Sequence, residues 1–202
     1  MLNPSFINHI KQAKISLIAV DEAHCISEWG HDFRPAFRKI NLLRPLFPET
    51  PILALTASAT PEVKNDIANQ LELNSPQIFQ HSFERPNIAY NIWNTEDKFQ
   101  TTLQLLNHFE GSSIVYCNSR KQTEYLANFI NQNNHKADFF HGGMLPSEKK
   151  EKLEAWQRGT ISHMVATTAF GMGIDKANVR TVIHTNLPES IENYYQETDR
   201  AG

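Results

Sequence analysis

Cysteine is nearly missing from this sequence. Cys25 and Cys117 are the only two in 202 residues, with no C-x-x-C pair, so neither a disulfide framework nor a structural zinc site of ordinary spacing organises the chain, and a reducing cytosol is the default. Long apolar runs are missing as well. Nothing approaches the roughly 20 residues that cross a bilayer, and the opening MLNPSFINHIKQAKI is neither a secretory signal nor an Arg-rich transit peptide. The expectation is a cytoplasmic, nucleoid-type protein with no targeting or transmembrane segment. Positive charge is not in excess: 19 Lys and Arg face 22 Asp and Glu, a net charge of −3. A polyanion would therefore be met by local patches and not by a global field. No G-x-x-x-x-G-K-[ST] loop occurs either; the only adjacent glycines, Gly142 and Gly143, are followed by Met144. The usual cradle for a nucleotide's β and γ phosphates is thus absent from these residues.

What is present is ordinary for a globular protein, 40% apolar and 20% charged, and long enough for one large or two small domains. Residues 1–14 read as an amphipathic helix. Ile15, Leu17, Ile18 and Val20 form a short apolar run of the kind buried on both faces of a parallel sheet. A helical stripe follows at Phe37, Ile40, Leu43 and Leu46, then a strand at 51–55 and a helix over 61–69. Residues 75–94 carry Pro76 and Pro86 and no stripe. From Lys98 the alternation restarts, with strands near 113–117, 138–140, 163–166 and 182–187 separated by helices. This predicts an α/β protein with parallel sheets in two domains, residues 1–82 and 88–202, joined at 83–87.

The stretch Ile15 to Phe37 carries the chemistry. Strands of an open parallel sheet present their carboxyl ends to the ligand crevice, so Asp21 and Glu22 stand where a metal-bound phosphate chain would lie. Asp21 suits Mg²⁺ held through a water, because that ion keeps several waters. Glu22 suits the orientation or deprotonation of a water attacking a phosphoryl group. The alternative is a turn with two solvated acids. Trp29, Phe33 and Phe37 offer faces for stacking unpaired bases, and His31 and Arg34 offer donors to phosphate or carboxylate. The alternative here is a hydrophobic loop packed on the domain surface. His141 has no second ligand at workable spacing and reads as a hydrogen-bonded loop histidine.

Asp21-Glu22-Ala23-His24, followed by Cys25 to Pro35 (CISEWGHDFRP), resembles motif II and the aromatic-rich loop of RecQ-type ATP-dependent DNA helicases of superfamily 2. The resemblance implies two RecA-like domains, the first lacking its N-terminal part. It also implies ATP and Mg²⁺ as cofactors, and 3′-to-5′ translocation on single-stranded DNA with unwinding of partly duplex DNA in repair and recombination. On this view Asp21 and Glu22 are catalytic, His24 lies beside the nucleotide, and Trp29, His31, Phe33, Arg34 and Phe37 report DNA occupancy. Thr56, Ser58 and Thr60 are similar to motif III, which couples nucleotide state to DNA, although Thr60 also suits a plain helix cap. Arg120, past a strand end, is similar to motif IV or is a solvated first-turn residue. ATTAFGMGID (166–175) is similar to motif V, directing Thr167 and Thr168 to DNA phosphate and Asp175 to the nucleotide; Ala177 and Asn178 stand where Pro and Asp are usual. IENYYQETDRAG (191–202) is similar to the start of motif VI, with Gln196 and Arg200 at the nucleotide and Asp199 in place of a Gly. The second Arg of that motif is not in the sequence.

With the phosphate loop and that Arg both missing, the chain alone is expected to be inactive, an internal part of a longer motor. The other reading is a noncatalytic DNA-binding or regulatory protein. A DEAH-type RNA helicase shares the acids and the Ser-Ala-Thr element but lacks the EWGHDFRP loop, and a general nucleotide binder would not carry these motifs in order.

Overall fold

The apolar run after residue 14 becomes strand β1, Ile18–Val20, preceded by helix α1, Pro4–Lys11. In the computed structural model, residues 4–30, 32–57, 59–82, 84–171 and 176–202 are described. The candidate site residues His31, Ser58 and Asp175 lie outside the described residues. Two units form, residues 1–82 and 83–202.

In the first unit β1 pairs in parallel with β2, Ile52–Ala54, in the register Ile18 to Ile52 and Val20 to Ala54. Val20 is 4% exposed and packs with Ile26, Val63, Ile67 and Leu71. Val63 and Ile67 come from helix α2, Pro61–Gln70, whose start is fixed by the Thr60 hydroxyl accepting from the Val63 N–H at 3.4 Å. The other face of the strand pair is open, with Leu17, Leu53 and Leu55 at 51, 43 and 46% exposure. This corrects the expectation of a strand buried on both faces. Two strands with one covering layer bury only the side chains of one parity. The stripe expected at 37–46 forms a 3₁₀ helix, Pro35–Leu43, and rests Phe37 and Ile40 on the same core.

The second unit is a four-stranded parallel sheet. Its strands are β3 (Ser112–Tyr116), β4 (Ala137–Phe140), β5 (His163–Ala166) and β6 (Val179–His184), in the order β4-β5-β3-β6. Every residue of the central β3 is buried, as an apolar run without alternation requires. Helix α3, Lys98–His108, begins at Asp97, whose carboxylate accepts from the Phe99 and Gln100 N–H groups at 3.1 and 3.0 Å. Helix α4, Arg120–Gln132, turns Leu126, Ala127 and Ile130 onto one side of the sheet. Helix α5, Pro146–Gln157, delivers Trp156 to the other, where its ring meets Phe170 edge-on at 5.4 Å. Helix α6, Ile191–Thr198, closes the chain. Arg85, in the segment read as a connection, pairs with Asp199 and donates to the Ala201 carbonyl at 3.3 Å, so this segment is fastened to the second unit.

A line of hydrogen-bonded histidines crosses one end of this sheet. His135 donates from Nε2 to Asn107 Oδ1 at 3.1 Å and accepts at Nδ1, at 3.1 Å, from His163 Nε2; His163 Nδ1 accepts from the Ser113 hydroxyl at 2.8 Å. Burial, and then the neighbouring His135, hold His163 down at about 4 from an ordinary 6.5. A histidine kept neutral in the fold contributes stability that is complete above its unfolded value and is lost as pH falls from 6.5 toward about 4. The full loss is about 3 kcal/mol. Urea unfolding at about pH 7.5 and about pH 5 should show much of this difference, and His163→Asn should flatten it.

Candidate functional site

The turn after β1 reverses on one strained residue. Glu22 has φ 49° and ψ 43°, the left-handed region that a non-glycine residue enters at a cost of about 1–3 kcal/mol. Its N–H donates to Asp21 Oδ1 at 2.9 Å. The chain then drops into a buried 3₁₀ turn, Ala23–Ile26. Asp21 is thereby left exposed at the rim while His24 points inward, 2% exposed. His24 Nδ1 lies 2.9 Å from the Thr56 hydroxyl and 3.4 Å from Glu22 Oε2. Thr56 follows β2, so the parallel register of two adjacent strands brings the acid pair and the 56–60 segment together.

The loop beyond folds back over this buried turn. The Arg34 N–H donates to the Cys25 carbonyl at 2.8 Å, and the Trp29 N–H donates to the Ser27 hydroxyl at 3.2 Å. Gly30 is required here because a Cβ would lie 2.4 Å from the His24 carbonyl oxygen. The three aromatic rings separate in use. Trp29 is 78% exposed, Phe33 is half-buried with the Arg38 guanidinium 5.0 Å from its ring centre, and Phe37 is packed on the core. The 3₁₀ helix sets Phe37, half-buried, against the core. Arg34 pairs with Asp32 at 2.5 Å, which holds the carboxyl below its ordinary value and raises the guanidinium. Burial pushes the Cys25 thiol up to about 11.

In the second unit the motif-like residues again follow strand ends. Thr167 comes after β5; its N–H donates to the Phe140 carbonyl at 3.1 Å and its carbonyl accepts from the Phe170 N–H at 2.9 Å. Phe170 is buried beneath this turn, and its own carbonyl accepts from the Tyr116 hydroxyl at 2.9 Å. Thr168 stays exposed. Burial raises the Tyr116 phenol, and the charge of nearby Arg200 offsets this in part. A Cβ on Gly171 would lie 3.2 Å from Arg200 Nη2, so that glycine lets the guanidinium approach the turn. Helix α6 is seated by the buried Glu197, which accepts from His184 Nε2 at 2.7 Å, while His184 stacks on Tyr116 at 5.2 Å. Gln196 and Arg200 flank this anchor, both half-buried. Asp199 is turned to Arg85. Arg120, exposed in the first turn of α4, lies along the turn at Gly143, where a Cβ would be 2.5 Å from its Nη1. His141 pairs through Nε2 with Glu124 at 3.0 Å.

Three residues of the site escaped the sequence reading: Gly30, Arg85 and Glu124. Gly30 carried a signal, a lone glycine inside an aromatic loop. The other two are partners to residues 114 and 17 positions away, and no local pattern marks them.

Residues 97–202 match the family model described as Helicase conserved C-terminal domain. The chain belongs to that family. Its likeness to helicases reaches beyond the matched residues: it is 45% identical over 206 aligned residues to the ATP-dependent DNA helicase RecQ of Pasteurella multocida, an alignment covering 100% of this chain and 32% of that protein. It is 41% identical to RecQ of Bacillus subtilis, over 98% of this chain and 34% of the relative. The chain therefore spans about a third of the length of these helicases. Among solved structures, Saccharomyces cerevisiae Dbp5 bound to RNA and ADP BeF3 matches with a TM-score of 0.76 at 18% identity, over 98% of this chain and 54% of that one. At that identity the likeness shows the fold, mixed α/β with parallel RecA-like sheets. The RecQ resemblance carried by residues 21–35 is borne out by these identities, which extend across both units.

Proposed function

We propose that these residues form part of an ATP-dependent 3′-to-5′ DNA helicase that couples ATP hydrolysis to movement along single-stranded DNA and to unwinding of partly duplex DNA, acting in repair and recombination at the bacterial nucleoid. The observation that carries this reading is the joint of Glu22, His24 and Thr56. A 2.9 Å contact links the carboxylate turn after β1 to the segment after β2, and Gly30 and Arg34 anchor the aromatic loop to the same turn. A change at the nucleotide and a change at the DNA-facing loop therefore meet at one buried histidine. Similarity over the whole chain to named RecQ helicases supports it.

In this reading Glu22 orients the attacking water and takes its proton. His24 holds the Glu22 carboxylate and the Thr56 hydroxyl in one arrangement. Asp21, an exposed carboxylate at the rim, fits Mg²⁺, an ion that takes few protein oxygens and keeps its waters. When bound, that ion neutralises phosphate charge. In the second unit Asp175, Gln196 and Arg200 are assigned to nucleotide by the same reading, the guanidinium supplying positive charge. Trp29, His31, Phe33 and Arg34 are assigned to single-stranded DNA, Arg120, Thr167 and Thr168 to phosphates, and Ser58 and Thr60 to coupling. Without a phosphate loop the 202 residues alone do not turn over ATP, since removed positioning groups cost orders of magnitude.

Fluorescence anisotropy of labelled single-stranded DNA with this chain tests the loop's part. Trp29→Ala should weaken binding about 10-fold, because a base stacked on an aromatic is worth about 1–3 kcal/mol, and wild-type affinity should fall with added salt. Equal affinity for the two proteins would remove Trp29 from the DNA interface. The reading as a noncatalytic DNA-binding module shares that result. It is separated by ATPase assays on a chain that also carries a phosphate loop.

A further inference from the structure

His24, Cys25 and Asp32 place an imidazole nitrogen, a thiol sulfur and a carboxylate oxygen all within 4.8 Å of one another. Cys25 Sγ is 3.7 Å from His24 Nε2 and 3.7 Å from Asp32 Oδ2. Tetrahedral zinc, with its metal–sulfur and metal–nitrogen bonds near 2.3 and 2.0 Å, sets neighbouring ligand atoms about 3.3–3.7 Å apart. We infer that these three side chains bind one borderline divalent cation of the Zn²⁺ type, with a water in the fourth position.

Three further features fit the assignment. His24 reaches the Thr56 hydroxyl through Nδ1 at 2.9 Å. That is the hydrogen bond by which a ligating histidine is normally held in the tautomer that offers its other nitrogen. Cys25 and His24 are buried at 1 and 2% exposure while Asp32 is half-buried, so the site has a rigid floor and an entry from the loop. The pair Asp32–Arg34 that a cation would loosen is 44 and 45% exposed and correspondingly weak.

The mixed sulfur, nitrogen and oxygen donors separate this site from Asp21 and Glu22, whose oxygens suit Mg²⁺. Adjacent His24 and Cys25 carry no recognised zinc spacing; only the folding back of the loop adds Asp32. On binding, the Cys25 sulfur–hydrogen bond is replaced by a sulfur–metal bond and one proton passes to solvent, so apparent affinity rises about tenfold per pH unit in the neutral range. A bound cation ties the loop carrying Trp29 and Phe33 to the histidine that touches Thr56.

The inference does not rest on the ATPase reading, and its test reads metal binding alone. Co²⁺ is titrated into the reduced 202-residue chain and the thiolate-to-cobalt band in the near ultraviolet is followed. The expected result is a band that saturates at one equivalent, is bleached by Zn²⁺, survives Cys117→Ser and vanishes in Cys25→Ser. Asp32→Ala, a change on a half-buried loop residue that leaves the core untouched, should weaken Co²⁺ binding about tenfold or more. Absence of the band at saturating Co²⁺, its persistence in Cys25→Ser, or unchanged affinity in Asp32→Ala overturns the assignment. Cobalt held only by Asp21 and Glu22 gives no thiolate band and counts against it.

Discussion

Glu22→Gln, in a chain that carries these residues together with a phosphate-binding loop, is expected to lower kcat for DNA-stimulated ATP hydrolysis by about 10²–10⁴-fold, the usual worth of a positioned general base. The substitution is nearly isosteric and leaves the backbone problem unchanged, since Gln meets the same left-handed conformation at φ 49°. The contact to His24, 3.4 Å from Oε2, can be kept by the amide oxygen. Stability, the KM for ATP and single-stranded DNA affinity should therefore stay close to wild type, and a loss confined to kcat identifies an interaction used in the chemical step. Steady-state ATPase assays with and without DNA, with DNA binding measured alongside, separate these quantities. If kcat survives within tenfold, the proton is taken elsewhere and Glu22 serves the turn and its contact to His24. If affinity for DNA falls with kcat, the carboxylate acts through His24 and Thr56 on coupling, not on the water.

Trp156→Ala is expected to carry the largest stability cost in the second unit, about 3–5 kcal/mol. The indole is fully buried. Its ring meets Phe170 at 5.4 Å and takes the Lys176 ammonium 4.6 Å above it, while its backbone carbonyl accepts from the same lysine. Truncation leaves a cavity that Leu153 and Ile161, packed at the edge of this cluster, cannot fill without moving the sheet. Domains are held by only about 5–15 kcal/mol, so this one change consumes much of the margin. The consequence reaches the site, because Phe170 lies under the turn that carries Thr167 and Thr168 and receives the Tyr116 hydroxyl. Urea unfolding followed by far-ultraviolet circular dichroism measures the loss. Trp156→Phe should recover more than half of it; equal losses for Phe and Ala would show that the indole's contact with the Lys176 ammonium, and not its volume, is what the core requires.

The element pattern was legible because it follows from short-range physics. Apolar runs without Gly or Pro marked β1, β2 and β3, and the hydroxyl and carboxylate caps Thr60, Ser119 and Asp97 sit where their helices begin. The motif-like run at 21–35 marked the candidate site for a similar reason: residue types with one kind of chemistry stand side by side. The one misreading has a physical cause: burial of the leucines around β1 and β2 is expected from residue type, whereas exposure depends on which neighbours are present to cover a face.

From sequence alone these 202 residues are an α/β chain of helicase character with an acid pair at a strand end and an aromatic loop beside it. The tertiary structure decided how those parts are joined. His24 meets Thr56 across 32 positions because two strands pair in parallel, Asp199 is taken by Arg85 across 114 positions, and Cys25 acquires Asp32 because Gly30 lets the loop close on the His24 carbonyl. Propensity and periodicity act over a few residues, whereas strand register and loop closure set which distant side chains fall within a hydrogen bond of one another.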